Sequence, residues 1–156
     1  MRIALLFRAL GALVGLVGCA YKPGSFASSE HAFSGQRASQ GCLDVAIERR
    51  ADLPIGPVLE FQFANRCDHM TTVDLGSVAV VGRNAQGTDV ALRPYDPRRE
   101  IHPVPLDGRK EGGEALVYPA DRSMPQVCVD VATLAKDGSW RWLCFGSAPT
   151  VVGGVP

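Results

Sequence analysis

The sequence predicts an all-β domain, a sandwich of about seven strands carried on a flexible N-terminal tether. Three observations lead there. From residue 42 to residue 145 apolar side chains recur at every second position, the period of a half-buried strand. Glycine and proline punctuate the chain at short intervals, and no convincing amphipathic helix follows the first eighteen residues.

The strands follow in order. Leu43, Val45 and Ile47 alternate with Asp44, Ala46 and Glu48; Leu59, Phe61 and Phe63 alternate with Glu60, Gln62 and Ala64. Val73 and Leu75 share one parity and Val78 and Val80 the other, so a bulge is expected at Gly76 and Ser77 to restore register. Val90 to Leu92 and Ala115 to Tyr118 are shorter candidates, Val127, Val129 and Val131 make a sixth, and Trp140 to Phe145 a seventh. Asp52 to Pro57 contains two prolines, Asn84-Ala85-Gln86-Gly87 reads as a tight turn, and Lys136-Asp137-Gly138 as a hairpin signal. Residues 93–113, with four prolines, read as a long irregular connection, with room for a short strand near Ile101.

Seven short strands in about 105 residues resemble the immunoglobulin-like β-sandwich, a likeness of architecture that carries no function with it.

The first eighteen residues read as an export signal, with Met1, Arg2 and Arg8 ahead of an apolar run that is about half the roughly twenty residues a membrane span needs. Leu16-Val17-Gly18-Cys19 resembles the lipobox of bacterial lipoproteins: an aliphatic residue, a tolerant position, a small residue, then cysteine. The resemblance covers about the first twenty residues. It implies acylation of the Cys19 thiol, palmitate being a usual chain, cleavage before Cys19, and attachment to a membrane of the cell envelope. Ala20 is not the aspartate that holds such proteins in the inner membrane of enteric bacteria, which favours the outer membrane. Two or three acyl chains make the attachment stable, since each buried methylene contributes about 0.8 kcal/mol. Residues 19–41, rich in Ser, Ala and Gly, are expected to form the tether, residues 42–145 the domain, and residues 146–156 a disordered tail.

Without the signal the chain carries fourteen basic and sixteen acidic side chains, so it lacks the electrostatic footprint of a nucleic-acid binder. Its 138 mature residues suffice for one domain. Cys42, Cys67, Cys128 and Cys144 are an even number in a chain bound for an oxidising compartment, and their spacings of 25, 61 and 16 lack the short knuckle of a structural zinc site. If the first two strands pair antiparallel, and the last two likewise, Cys42 lies near Cys67 and Cys128 near Cys144. Those are the expected disulfides; Cys67 with Cys128 and Cys42 with Cys144 is the main competing set.

No catalytic motif stands out: there is no G-x-S-x-G, S-x-x-K, H-E-x-x-H or phosphate loop. His31, His69 and His102 lie in segments of solvent-facing composition. Cys67-Asp68-His69-Met70 is the densest set of metal-ligand types, suited to copper only if Cys67 is a free thiol. Asp44 and Asp130, each two residues after a cysteine, could act as an acid–base pair; alternation with valines places them on the solvent face of two strands. Arg93, Arg98 and Arg99 with Tyr95 could form an adhesive loop, though Asp89, Asp96 and Glu100 neutralise it. Trp140 and Trp142 share one face of the last strand, where core packing is favoured, but they point outward if Leu143 and Phe145 point inward.

The reading that results is a lipid-anchored, non-catalytic interaction or structural module of the envelope, needing no cofactor or metal. Its expected partners are a membrane and an envelope protein or glycan. The alternatives are an envelope hydrolase whose site forms only in the fold, and a periplasmic metal-binding protein.

Overall fold

A computed structural model describes residues 35–135 and 141–149. The export signal, Cys19, His31, most of the tether, the 136–138 turn, Trp140 and the last seven residues lie outside the described residues.

The described chain is all-β, built of antiparallel sheets. One sheet has the order β1-β2-β3-β8, from Gln36–Gln40, Leu43–Leu53, Gly56–Asn65 and Glu111–Val117. A second has the order β10-β9-β5-β6, from Trp142–Phe145, Gln126–Asp130, Ala79–Arg83 and Asp89–Leu92. A two-stranded ribbon pairs β4 (Thr71–Val73) with β7 (Val104–Leu106). The only helical elements among the described residues are a 3-10 turn at Leu75–Ser77 and one α-turn, α1, at Ala132–Ala135.

Alternation produces the core. Val45, Ile47, Leu59, Phe61 and Leu116 from the first sheet meet Val80, Leu92, Val127, Val129 and Leu143 from the second in one apolar cluster. Each such side chain contributes about 1.5–3 kcal/mol when fully buried.

The ten described strands cover the seven expected segments, one of them split into β4 and β5, and add two, β1 and β7. β1 is a correction: residues 36–40 belong to the sheet, not to the tether. Ala38 and Gln40 turn inward and are buried, and every residue of β1 pairs with β2, from Gln36↔Ile47 to Gln40↔Leu43. Five residues of Gln, Arg, Ala and Ser carry too little apolar signal for period two to register.

The expected bulge at Gly76 is a 3-10 turn instead, capped by Asp74, whose carboxylate accepts the Ser77 amide at 3.2 Å. Rather than bending one strand, the turn moves the chain out of the ribbon and into the second sheet, so parity resets. The long connection holds its short strand at Val104–Leu106 rather than at Ile101, and β8 starts four residues before the expected Ala115. Its first residues, Glu111-Gly112-Gly113, have no apolar alternation to read.

The start of the tail is fixed too: the Asp52 amide donates to the Pro149 carbonyl at 3.2 Å, and Arg49 to the Gly146 carbonyl at 3.0 Å. Residues 150–156 lie outside the described residues.

Candidate partner-binding edge and the placement of the expected sites

β8 ends its sheet, so among the described residues one side of its backbone faces no strand. Which groups face outward follows from register. Val58 opposes Val117 and Ala64 opposes Glu111, while the Tyr118 amide donates to Pro57 at 2.9 Å and the Asn65 amide to Lys110 at 2.8 Å. That pattern makes the 58/117 and 64/111 positions non-hydrogen-bonded pairs. The amides and carbonyls of Glu111, Gly113, Ala115 and Val117 therefore point away from β3. The Val117 carbonyl accepts the Tyr95 amide at 2.7 Å; the outward groups of the other three have no backbone partner among the described residues.

Concave surfaces flank this edge. On the core side a groove of about 460 Å³ runs between β8 and the 95–104 loop, lined by Tyr95, Ile101, His102, Val104 and Leu116. Tyr95 is 57% exposed and Val104 40%, more than apolar side chains of a covered surface show. On the other side a cleft of about 380 Å³ is lined by Arg50, Glu60, Gln62, Gly113 and Ala115. Glu60 hydrogen-bonds to Arg50 and raises its pKa, and the Gln62 amide donates to Glu60 at 3.0 Å, so the cleft's polar side chains hold one another in place.

The glycine pair makes the edge thin. A Cβ on Gly112 would stand 2.8 Å from the Phe63 ring, and one on Gly113 2.6 Å from the Gln62 amide. Gly112 leaves room for the Phe63 ring, a side chain at Gly113 would have to displace the Gln62 amide, and the pair leaves little side chain to keep another strand away. The loop is shaped by Asp96, whose carboxylate accepts the amides of Glu100 at 2.7 Å and Ile101 at 3.3 Å.

The other expected site residues disperse. Disulfides join Cys42 to Cys67 and Cys128 to Cys144. The first bridges the two ends of the β2–β3 hairpin; the second ties directly opposed residues of β9 and β10. Asp44 and Asp130 require correction, being only 5% and 3% exposed. Asp44 lies under the outer polar layer of the first sheet, accepting from Ser39 at 2.6 Å and paired with Arg66 at 3.1 Å. Asp130 accepts the Ala132 amide at 3.0 Å and so caps α1. They sit on different sheets and form no acid–base pair. Alternation gave the correct side of each strand, but neighbouring long polar side chains and a capping turn cover that side.

Trp142 is 40% exposed, contrary to the core placement favoured by its size, because Leu143 and Phe145 take the inward positions of β10. Arg98 pairs loosely with Glu100 at 3.7 Å on an exposed surface, and Arg83, not Arg93, holds Asp89. His102 borders the groove. His69 stands beside the first disulfide, its Nε2 3.6 Å from Cys42 Sγ.

Sequence reasoning missed Asn65, which is fully buried at the end of β3. Its amide donates to the carbonyls of His69 at 2.7 Å, Leu106 at 3.0 Å and Asp107 at 3.2 Å, and its oxygen accepts the Cys67 amide at 2.9 Å. A polar residue closing an apolar strand just before a cysteine was the available signal.

No protein-family model matches the chain, and no curated protein matches it. Among solved structures it is similar to the yjhA protein from Bacillus subtilis, at 12% identity and a TM-score of 0.46, over 69% of this chain and 94% of that one. A likeness at that score carries no argument about function.

Proposed function

We propose that this chain is a lipid-anchored module of the bacterial cell envelope, held to a membrane through Cys19, with the outer membrane favoured. It binds an extended segment of an envelope protein by strand addition along β8, and does no catalysis. The observation that carries the binding reading is the row of outward backbone groups at Glu111, Gly113 and Ala115, beside a groove with exposed Tyr95 and Val104. Backbone pairing supplies affinity in this mode, and side-chain pockets beside the edge supply selectivity. The lipobox carries the anchoring.

The domain is read as immunoglobulin-like. In support, the second sheet's order β6-β5-β9-β10 corresponds to the C′-C-F-G order of that architecture, and β3 beside β8 to its B and E strands. β1 extends the first sheet on the other side. Neither disulfide crosses between the sheets, unlike the inter-sheet bond of antibody domains.

Site-specific photo-crosslinking in the native membranes tests the binding reading. A photoreactive residue at Glu114 should capture a discrete envelope protein through an extended segment, whereas one at Arg83, on the second sheet, should not. Equal labelling from both positions, or none from Glu114, overturns it. Intact mass of the purified chain tests the anchor: the expected species begins at Cys19 and carries acyl chains, and a chain retaining residues 1–18 overturns that part.

A further inference from the structure

We propose that the corner formed by Cys42, Cys67 and His69 is a zinc-binding site once its disulfide is reduced. This site is separate from the binding edge on β8.

The three ligand atoms, Cys42 Sγ, Cys67 Sγ and His69 Nε2, lie within 4.8 Å of one another. In a tetrahedral zinc site, with Zn–S about 2.3 Å and Zn–N about 2.05 Å, the sulfur-to-nitrogen edge is about 3.6 Å and the sulfur-to-sulfur edge about 3.8 Å. The Cys42 Sγ to His69 Nε2 distance is 3.6 Å. The two sulfurs must part by rotation about their side-chain bonds, which also sets the Cys67 Sγ to His69 Nε2 edge, now within 4.8 Å. Both cysteines are partly exposed and His69 is exposed, so reductant and metal can reach them. Three protein ligands leave the fourth position open to water, the arrangement of reactive rather than purely structural zinc.

What distinguishes this corner from an ordinary staple is that its shape is held by groups other than sulfur. Asn65 gathers the Cys67 amide and the His69 carbonyl, and ties them to Leu106 and Asp107 on the neighbouring segment. The Arg66 amide donates to the Cys42 carbonyl at 2.7 Å, and the Arg109 amide to the Cys67 carbonyl at 3.1 Å. Arg109 also grips Asp68 at 2.8 Å. Gly108 lies so close beneath that a Cβ there would stand 2.3 Å from the Asp68 carbonyl oxygen. Breaking the sulfur bond removes none of these contacts. The second disulfide has no such surroundings: among the described residues no third ligand joins Cys128 and Cys144.

The chemistry balances with a dithiol as reductant. One of its thiolates attacks a protein sulfur and forms a mixed disulfide while the other cysteine leaves as thiolate. The dithiol's second sulfur then closes on the first, releasing the remaining cysteine. Two electrons and two protons pass to the protein, and the dithiol becomes a disulfide. Zinc binding displaces two protons from the cysteine thiols and leaves the metal's oxidation state unchanged.

The test uses the full chain, reduced anaerobically with dithiothreitol, desalted, and given one equivalent of Zn²⁺ alone. Cysteine alkylation is then timed and mapped by mass spectrometry, with circular dichroism on the same samples. Zinc should slow alkylation of Cys42 and Cys67 at least tenfold and leave Cys128 and Cys144 unchanged, with the β signal retained. In His69→Ala, an exposed position whose loss leaves the clamp in place, zinc affinity should fall tenfold or more. Alkylation indifferent to zinc, protection shared equally by all four cysteines, protection indifferent to His69, or loss of the β signal on reduction would each overturn the proposal.

Discussion

Asn65 concentrates more of this molecule's polar bonding than any charged residue described above. Four backbone groups from two segments, 67–69 and 106–107, depend on one buried amide, and truncating it leaves them without that partner, the Leu106 carbonyl in a buried setting. Asn65→Ala is expected to cost about 2–3 kcal/mol, at 1–3 kcal/mol per stranded buried group partly relieved by relaxation. Chemical denaturation would measure it. Tyr118 is the opposite case: fully buried, its hydroxyl without a hydrogen-bond partner among the described residues, and its pKa raised by that burial. Tyr118→Phe should therefore be neutral or stabilising by up to about 1 kcal/mol. The raised pKa also sets a sign. The unfolded phenol ionises near pH 10 while the folded one stays neutral, so this contribution is intact below about pH 10 and lost above it. The phenylalanine variant should unfold at a higher pH in an alkaline titration. Local pattern gave neither residue a role, because what sets them apart is partners, or lack of them among the described residues, far along the chain. Asp44 misled for a related reason, since alternation reports which side of a strand a residue is on but not what lies over that side.

At the level of elements, period two located six of the seven expected strands as single strands and ran the seventh, Val73 to Val80, across two, because apolar residues on one face are what the core requires wherever the chain turns. It failed where strands are made of something else: β1 is held by its ladder to β2, and the first half of β8 by glycines that fit under Phe63 and Gln62. Most of the proposed edge, Glu111 to Gly113, therefore lay in a stretch that reads as loop. Its two flanks come from strands and a loop that meet only in the folded chain, which no local pattern reveals. The edge makes a sharp prediction. Ala115→Pro removes an amide that points away from β3, a position where proline is tolerated, so the thermal midpoint should move by only a few degrees. The same change denies an incoming strand one of its backbone bonds and places a ring in its path. Partner crosslinking from Glu114 should drop at least tenfold, and an unchanged yield would argue against strand addition.

At the scale of the whole molecule, the order of the first sheet sets the proposed attachment side and the proposed binding edge at opposite ends: β1 is the first described strand, and β8 lies three strands away, about 14 Å at the usual spacing. With Cys19 in a membrane and a partner on β8, tension between them is carried across the sheet. Among the described strands β1 ladders with β2, and the Gln36 side chain also donates to the Cys144 carbonyl of β10; pulled from its first residue, the strand loses that bond first and then peels one rung at a time from Gln36↔Ile47 to Gln40↔Leu43. Two residues on, at Cys42, the peeling stops, because the bond to Cys67 fastens the chain to the far end of β3. The six released residues lengthen the leash by about 20 Å at 3.3–3.6 Å each, while the main core strands stay closed. Pulled by its N-terminus in a force instrument, the domain should give one early low-force extension of about that length and then hold, continuing through β2 at low force only under reducing conditions. The Cys42–Cys67 bond is in this sense a mechanical end stop: it sets how far the membrane can draw out the domain before the core bears the load.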